Sequence, residues 1–181
     1  MNKNNVKGGL TLHLYDTSKR KDSALHRHLR QWIPLIQAEL FAFMLSSRGL
    51  KFKKNKLATV DMVLTLCGET RIKTLNREFR GKDKVTDVLS FPLYQSLRPE
   101  NCDLLFSPHI ELGDVVICLP VAHRQAKQFS VSLIEEIAHQ LVHGFLHLVG
   151  YDHELSAKEE ELMEKIEAEL VANIYRQRRL R

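Results

Sequence analysis

The stretch VSLIEEIAHQLVHGFLHLVGYDH, residues 131–153, decides the fold. Its apolar residues recur every three or four positions, which predicts a long helix over residues 131–150. Ser132 and Glu135 have the spacing of a capping box, which marks the beginning of a helix. Gly150 can adopt the left-handed backbone that ends one. Both ends of this helix are therefore predicted from local sequence.

Four other segments have strand character, because they alternate apolar and polar residues or are rich in valine, threonine and leucine. They predict strands over residues 10–16, 57–67, 87–93 and 113–119, the last being the GDVVICL part of HIELGDVVICL. Since strands and helices are mixed without strict β-α-β alternation, the sequence predicts the α+β class, with one small sheet on which helices pack.

Helical periodicity also recurs outside the central stretch. It predicts helices from Ser23 to a stop at Gly49, over residues 69–79 with Gly81 closing the helix, from Pro120 onward, and over residues 156–175. Pro34 lies inside the first of these helices, where proline can introduce a kink. In the second, Ile72, Leu75 and Phe79 are predicted to face inward.

Length and composition limit the number of domains and the class of protein. A chain of 181 residues is most simply one domain, residues 1–181, with residues 1–9 and 176–181 as loose termini. Its 44% apolar and 27% charged residues are ordinary for a soluble globular protein. The formal net charge of +5 is compatible with a polyanionic partner but does not identify one.

Cysteine usage and hydropathy predict a soluble protein of the cytoplasm or of an organelle, and the cytoplasm is the expected location. Cys67, Cys102 and Cys118 lie far apart and form no C-x-x-C pair, as expected for thiols in a reducing compartment. The first residues contain no apolar signal segment, and runs such as LFAFML at 40–45 are too short to span a bilayer. No membrane partner is expected.

Three histidines at the end of the central helix have the spacing of a metal site. His143 and His147 are four residues apart and project from one side of the helix. After the stop at Gly150, His153 can return to the same point. Three protein nitrogens and one open position are typical of catalytic zinc. The alternative is three unrelated histidines near a helix end.

Position 144 argues against a peptidase. Zinc proteases place a glutamate between two such histidines as the base that activates water, whereas this chain has Gly144 there. Glycine inside a helix is less favourable than alanine by about 0.8–1 kcal/mol. The space is therefore needed either by a close neighbouring strand or by an incoming substrate.

Two residues beside the histidines have more than one interpretation. His139, one helical step before His143, either approaches the metal or a substrate phosphate, or is a partly buried histidine with a hydrogen bond. Asp152 either bonds a ligand histidine, assists a water, or bonds its own turn. For His139 the partly buried, hydrogen-bonded histidine is preferred, and for Asp152 the turn or the bond to a ligand histidine is preferred over assistance to a water.

A basic segment, LNREFRGKDKVTDVLSFP at residues 75–92, is the second candidate for function. Arg77, Arg80, Lys82 and Lys84 lie around Gly81. Arginine can bind a phosphate through two parallel hydrogen bonds, and such a group near a metal can neutralise charge on a phosphoryl transition state. The alternative is a solvated helix end. In two other basic segments, residues 51–56 and 176–181, no aromatic residues are clearly interleaved with the charges, so base stacking is not indicated there.

Together, HGFLHLVGYDH (143–153), NREFRGKDKVTDVLSFP (76–92) and LGDVVI (112–117) resemble the YbeY family of single-domain, metal-dependent endoribonucleases that mature ribosomal RNA. The resemblance implies an α+β fold with a four-stranded sheet and about five helices. It implies that His143, His147 and His153 bind one Zn²⁺, or another divalent transition metal, and that Arg80 is the functional arginine. Val85 stands where the family has a proline.

The resemblance also implies a function and partners. The function is single-strand-specific RNA cleavage in small-subunit ribosomal RNA maturation and ribosome quality control, with water or the RNA 2′-hydroxyl attacking the phosphate. Lys82, Lys84, His139 and Asp152 would bind substrate or support the metal site. Expected partners are single-stranded or ribosomal RNA, small-subunit ribosomal proteins and an assembly GTPase, and no DNA.

Two other functions compete with RNA cleavage. The first is a non-catalytic RNA-binding assembly factor with a structural metal, and the second is a metallopeptidase-like hydrolase. Basic residues 51–56 and 176–181 either extend an RNA track or solubilise the chain.

Overall fold

A computed structural model of the chain describes residues 8–18, 22–46, 59–98 and 109–180. Within them the element order is β1 (Gly9–Asp16), α1 (Ser23–Leu45), β2 (Thr59–Cys67), α2 (Glu69–Arg80), β3 (Val88–Pro92), β4 (His109–Cys118), α3 (Leu119–Gln128), α4 (Leu133–Leu148) and α5 (Ala157–Arg179). The predicted α+β class, with four strands in one mixed sheet and five helices, is confirmed.

The sheet has the strand order β1-β2-β4-β3, in which β3 is an edge strand. β1, β2 and β4 are parallel, and β3 is antiparallel to β4. β4 begins at His109, so the predicted start at residue 113 was wrong. The cause is a bulge: the pairing shifts between Asp61 and Val63 of β2, and Gly113 has a φ of 124°. Gly113 therefore interrupts the pattern of a strand that continues on both sides of it.

The two faces of the sheet are covered unequally. α1 and α4 pack on one face, and α5 packs against both helices, which together form the main hydrophobic core. α2 covers part of the other face through a smaller cluster: Cys67, Ile72, Leu89, Val116 and Cys118. The prediction that Phe79 faces inward was wrong, since it is 65% exposed and meets the Phe91 ring edge-to-face at 5.1 Å. The smaller cluster ends before the last turn of α2.

Two other helix ends differ from prediction. α1 runs through Pro34 and ends at Leu45, before Gly49, which lies outside the described residues together with the basic segment 51–56. α5 continues to Arg179, so the expectation of a loose tail was wrong for residues 176–179. Tertiary contacts extend this helix, because Arg178 donates a hydrogen bond to Gln31 of α1 over 2.9 Å.

The remaining predictions about helix ends and thiols agree with the structure. The capping box of Ser132 and Glu135 opens α4, and Gly150 has a φ of 99° just beyond its end. Cys67 and Cys118 are buried free thiols, and Cys102 lies outside the described residues. In the part of the chain that the structure describes, none of the helices combines the length and apolarity needed to cross a bilayer.

Candidate metal centre and cleft

The three predicted histidines lie together at the end of α4. The ring centroids of His143 and His147 are 4.8 Å apart, and the ring of His153 lies 5.4 and 5.2 Å from them. One nitrogen from each ring lies within 4.8 Å of the other two. Four-residue spacing on the helix aligns the first pair, and the turn at Gly150 returns the third. The group has the donor atoms and the spacing to hold a metal ion.

Two glycines let other elements approach this helix closely. A Cβ on Gly144 would lie 2.7 Å from Val115 Cγ1 and 3.2 Å from Ser90 Oγ, both on the sheet. Of the two explanations for Gly144, the close neighbouring strand is therefore the one that the structure supports. A Cβ on Gly150 would lie 2.5 Å from Ser96 Oγ, so this glycine serves both the left-handed turn and the packing of the segment after β3.

Glu167 of α5 supports the histidine group and was missed in the sequence. Its Oε2 lies 3.1 Å from His143 Nδ1, while His143 Nε2 lies 3.2 Å from His147 Nε2. A carboxylate on one ring nitrogen fixes the orientation and tautomer of a histidine and leaves the other nitrogen for a metal. A weak signal was present: Glu167 interrupts the buried stripe of α5 formed by Met163, Ile166, Leu170 and Ile174.

The protonation of the group suits metal binding. Burial, with the neighbouring His143 and His153, lowers the pKa of His147 to about 4, so its imidazole is neutral at pH 7. Burial alone would raise the pKa of Glu167, but hydrogen bonds with His139 and His143 lower it to about 2. Glu167 is therefore ionised. Three imidazoles, one of them held by a carboxylate, fit a zinc-type ion.

His139 and Asp152 each form a contact beside the histidine group. His139 is half-exposed and forms an ion pair with Glu167, and this hydrogen bond raises the pKa of His139. Asp152 Oδ1 accepts a hydrogen bond from the backbone N–H of Glu154 over 2.9 Å. Asp152 thus stabilises the turn that carries His153. His139 contacts Glu167 Oε1, the carboxylate oxygen that His143 does not contact.

Arg80 and the histidines face one cleft, although they come from opposite faces of the sheet. Arg80, the last residue of α2, lines a cavity of about 210 Å³ with all three histidines. Ser90 of the edge strand β3 lines the same cavity. Arg80 and His147 also line an adjoining cavity of about 440 Å³. The structure therefore combines the two motifs that the sequence presented separately.

The other basic residues differ in whether they line the cleft. Lys82 and Lys84 are exposed and are not among the residues lining these two cavities. Arg98, which the sequence did not single out, lines the larger cavity, contacts Glu159 through two hydrogen bonds of 2.6 and 3.3 Å, and lies 4.9 Å from the centre of the Tyr151 ring. Tertiary structure thus adds a second arginine to the cleft.

Comparison with known proteins identifies relatives. A sequence model of the family described as Endoribonuclease YbeY matches residues 17–175. The protein of that name from Persephonella marina is 44% identical over 115 residues, covering 64% of this chain and 71% of that protein. The one from Leptospira interrogans is 45% identical over 117 residues, covering 60% and 83%. The solution structure of a Thermotoga maritima protein superposes with a TM-score of 0.55 at 25% identity, covering 93% of this chain and 92% of that chain.

Proposed function

This chain belongs to the YbeY endoribonuclease family, and on that premise we propose that it is a metal-dependent enzyme that cuts single-stranded RNA. Its place would be the maturation and quality control of small-subunit ribosomal RNA in the cytoplasm, beside small-subunit ribosomal proteins and an assembly GTPase. One observation carries the proposal: a three-histidine group and Arg80 line the same cavity. A metal donor set facing an arginine is suited to a phosphodiester.

His143, His147 and His153 would hold the ion, with Glu167 orienting His143. Imidazole donors suit Zn²⁺, and other divalent transition metals fit the same set. When bound, the ion supplies a Lewis acid for a phosphoryl oxygen and lowers the pKa of water from 15.7 to roughly 7. The site therefore does not require the glutamate that zinc proteases have at the position of Gly144.

Arg80 would stabilise the negative charge that develops on the phosphoryl oxygens. Among the described residues Arg80 forms no ion pair, so its guanidinium is available to a phosphate. Two parallel N–H donors match two phosphoryl oxygens, and removal of one such electrostatic donor typically raises the barrier by about 3 kcal/mol. Gly144 leaves no carboxylate at the position where zinc proteases have their base, which supports nuclease over peptidase chemistry.

The test is cleavage of single-stranded ribosomal RNA by the purified protein, metal-replete and chelated. We expect cleavage to require the metal. His147→Ala should abolish both cleavage and the metal content measured by elemental analysis. His123→Ala, which changes an exposed histidine on α3, is the matched control and should retain both.

RNA that is bound but never cut would replace this proposal with a non-catalytic assembly factor, and cleavage of a peptide panel would indicate a peptidase. The product ends separate the two attacking groups. A 2′,3′-cyclic phosphate indicates the RNA 2′-hydroxyl, and a linear monophosphate from the first turnover indicates water.

A further inference from the structure

The ends of α1 and α5 that lie farthest from the histidines form a second basic region. The two helices run antiparallel, since Asn173 bonds Glu39 while Arg178 bonds Gln31. Trp32 and Tyr175 pack edge-to-face at 5.6 Å beside these bonds. The N-terminal half of α1 therefore lies beside the C-terminal end of α5. We name this region the α1–α5 basic surface, and it consists of Arg27, Arg30, Arg176, Arg178 and Arg179.

The α1–α5 basic surface carries a local excess of positive charge, although a carboxylate between its two helices, that of Glu39, accepts hydrogen bonds from Asn173 and Gln177. Residues 23–38 and 170–179 contain five arginines and no aspartate or glutamate. Their five positive charges equal the formal net charge of the whole chain, +5, so the rest of the chain is neutral in sum. The other half of α5 has the opposite character, because residues 157–169 contain six glutamates and two lysines.

Helix electrostatics explains only part of this arrangement. Arginines in the last turn of α5 interact favourably with the negative end of the helix dipole. Arg27 and Arg30 have no such favourable interaction with the dipole of their own helix, because they lie in the N-terminal half of α1. Arg27 also lies one turn before Gln31 and projects from the same side, towards the end of α5 that carries Arg178. Bringing like charges together costs folding free energy, and a bound polyanion removes that cost.

The arginines of this surface are available to a ligand. Within the described part of the chain, Arg27, Arg30, Arg176 and Arg179 form no ion pair. The arginines elsewhere at residues 77, 98 and 124 are paired with carboxylates. All of the basic surface lies on helices, so the backbone that carries its charges is ordered.

We propose that the α1–α5 basic surface binds the phosphates of RNA outside the cleft and anchors strands that are longer than the cleft. This inference rests on the proposed function, which makes RNA the polyanion. Glu167 and Arg178 are eleven residues apart on α5, which corresponds to about 16 Å along the helix. A strand that contacts both regions must therefore cover at least roughly five nucleotides at about 3.4 Å each. Such contacts are independent of base sequence.

The test measures RNA binding without cleavage. The intact protein and the variant Arg27→Gln/Arg179→Gln are titrated with a 2′-O-methyl oligouridylate of about 30 nucleotides at several salt concentrations. Each phosphate contact contributes about 0.7 to the slope of log K against log salt for single strands, so the double variant should lower that slope by about 1.4. Binding of an oligonucleotide of about 4 nucleotides should change much less, because such a strand cannot contact the cleft and this surface at the same time.

The matched control is Lys158→Gln/Lys165→Gln, which removes the same charge from exposed positions in the acidic half of α5. Its salt slope should remain that of the unchanged protein. Equal slopes in all three proteins, or equal losses in both variants, would overturn the proposal. Unchanged RNA binding, with loss of binding to vesicles of phosphatidylserine and phosphatidylcholine, would assign the surface to a membrane instead. Because the readout is binding, the result is independent of whether the protein cleaves RNA.

Discussion

The histidine wall and the arginine wall of the cleft are built in different ways. The histidine wall comes from one short segment, residues 143–153, whose rings are half-buried and supported by Glu167. The arginine wall comes from Arg80 at the exposed end of α2, which packs on the opposite face of the sheet. One wall is held by packing and hydrogen bonds, whereas the other presents a solvated charge at the edge strand β3.

Because the two walls are built differently, substitutions in one should alter metal affinity, and substitutions in the other should alter stabilisation of the phosphoryl charge. An exposed guanidinium keeps much of its rotamer freedom until a phosphate binds, so its loss should not disturb the fold. In the histidine wall, His143 is in contact with Glu167, which supports it. Substitutions in the histidine wall should therefore act by changing the geometry of the metal site. Substitutions on each wall should therefore have different signatures.

Arg80→Ala should lower cleavage more than Glu167→Gln or Gly144→Ala. Loss of the charge that faces the phosphoryl group should lower kcat by about 10²–10³, with metal content and unfolding midpoint unchanged. Arg77→Ala is the matched control, because Arg77 lies on the same turn of α2 and its guanidinium is 3.7 Å from Asp83. Full cleavage by the Arg80 variant with metal bound would remove Arg80 from the mechanism.

Glu167→Gln should have an intermediate effect, on metal affinity. Removal of the carboxylate that holds His143 Nδ1 should weaken metal binding by about 10–100-fold. Affinity is measured by competition with a chromophoric chelator, and the His143 tautomer by ¹⁵N chemical shifts. Glu161→Gln, at an exposed position of α5 that does not line the cavities beside the histidines, should leave both unchanged. Equal metal affinity in the two variants would make Glu167 only a packing residue.

Gly144→Ala should have the smallest effect, on stability. The new Cβ would meet Val115 Cγ1 at 2.7 Å and separate α4 from the sheet. Overpacking, less the better helix propensity of alanine, should cost about 1–2 kcal/mol of the free energy of unfolding. Urea unfolding measures this cost. Gly9→Ala, where nothing lies within 4 Å of the added Cβ, should be nearly neutral. A Gly144 variant as stable as the parent would show that the packing at this point adjusts freely.

Much of the fold was predictable, because its elements carry local periodicity and local end signals. The capping box of Ser132 and the turn at Gly150 mark α4 without reference to the rest of the chain. The errors occurred where another element overrides that local pattern. Gly113 lies in a bulge because β2 continues beside it, and residues 176–179 are helical because α5 packs on α1. Phe79 follows the apolar period but lies beyond the sheet surface that α2 covers.

The amino-acid sequence by itself determined the convergence of three imidazoles, since helix period and one left-handed glycine act over eleven residues. Only the tertiary structure decided which groups face them. Glu167 is 24 residues from His143 along the chain, and Arg80 reaches the cleft from the other side of the sheet. Side-chain periodicity specifies a direction within one element, whereas contacts between elements depend on how closely their surfaces pack, as Gly144 against Val115 shows.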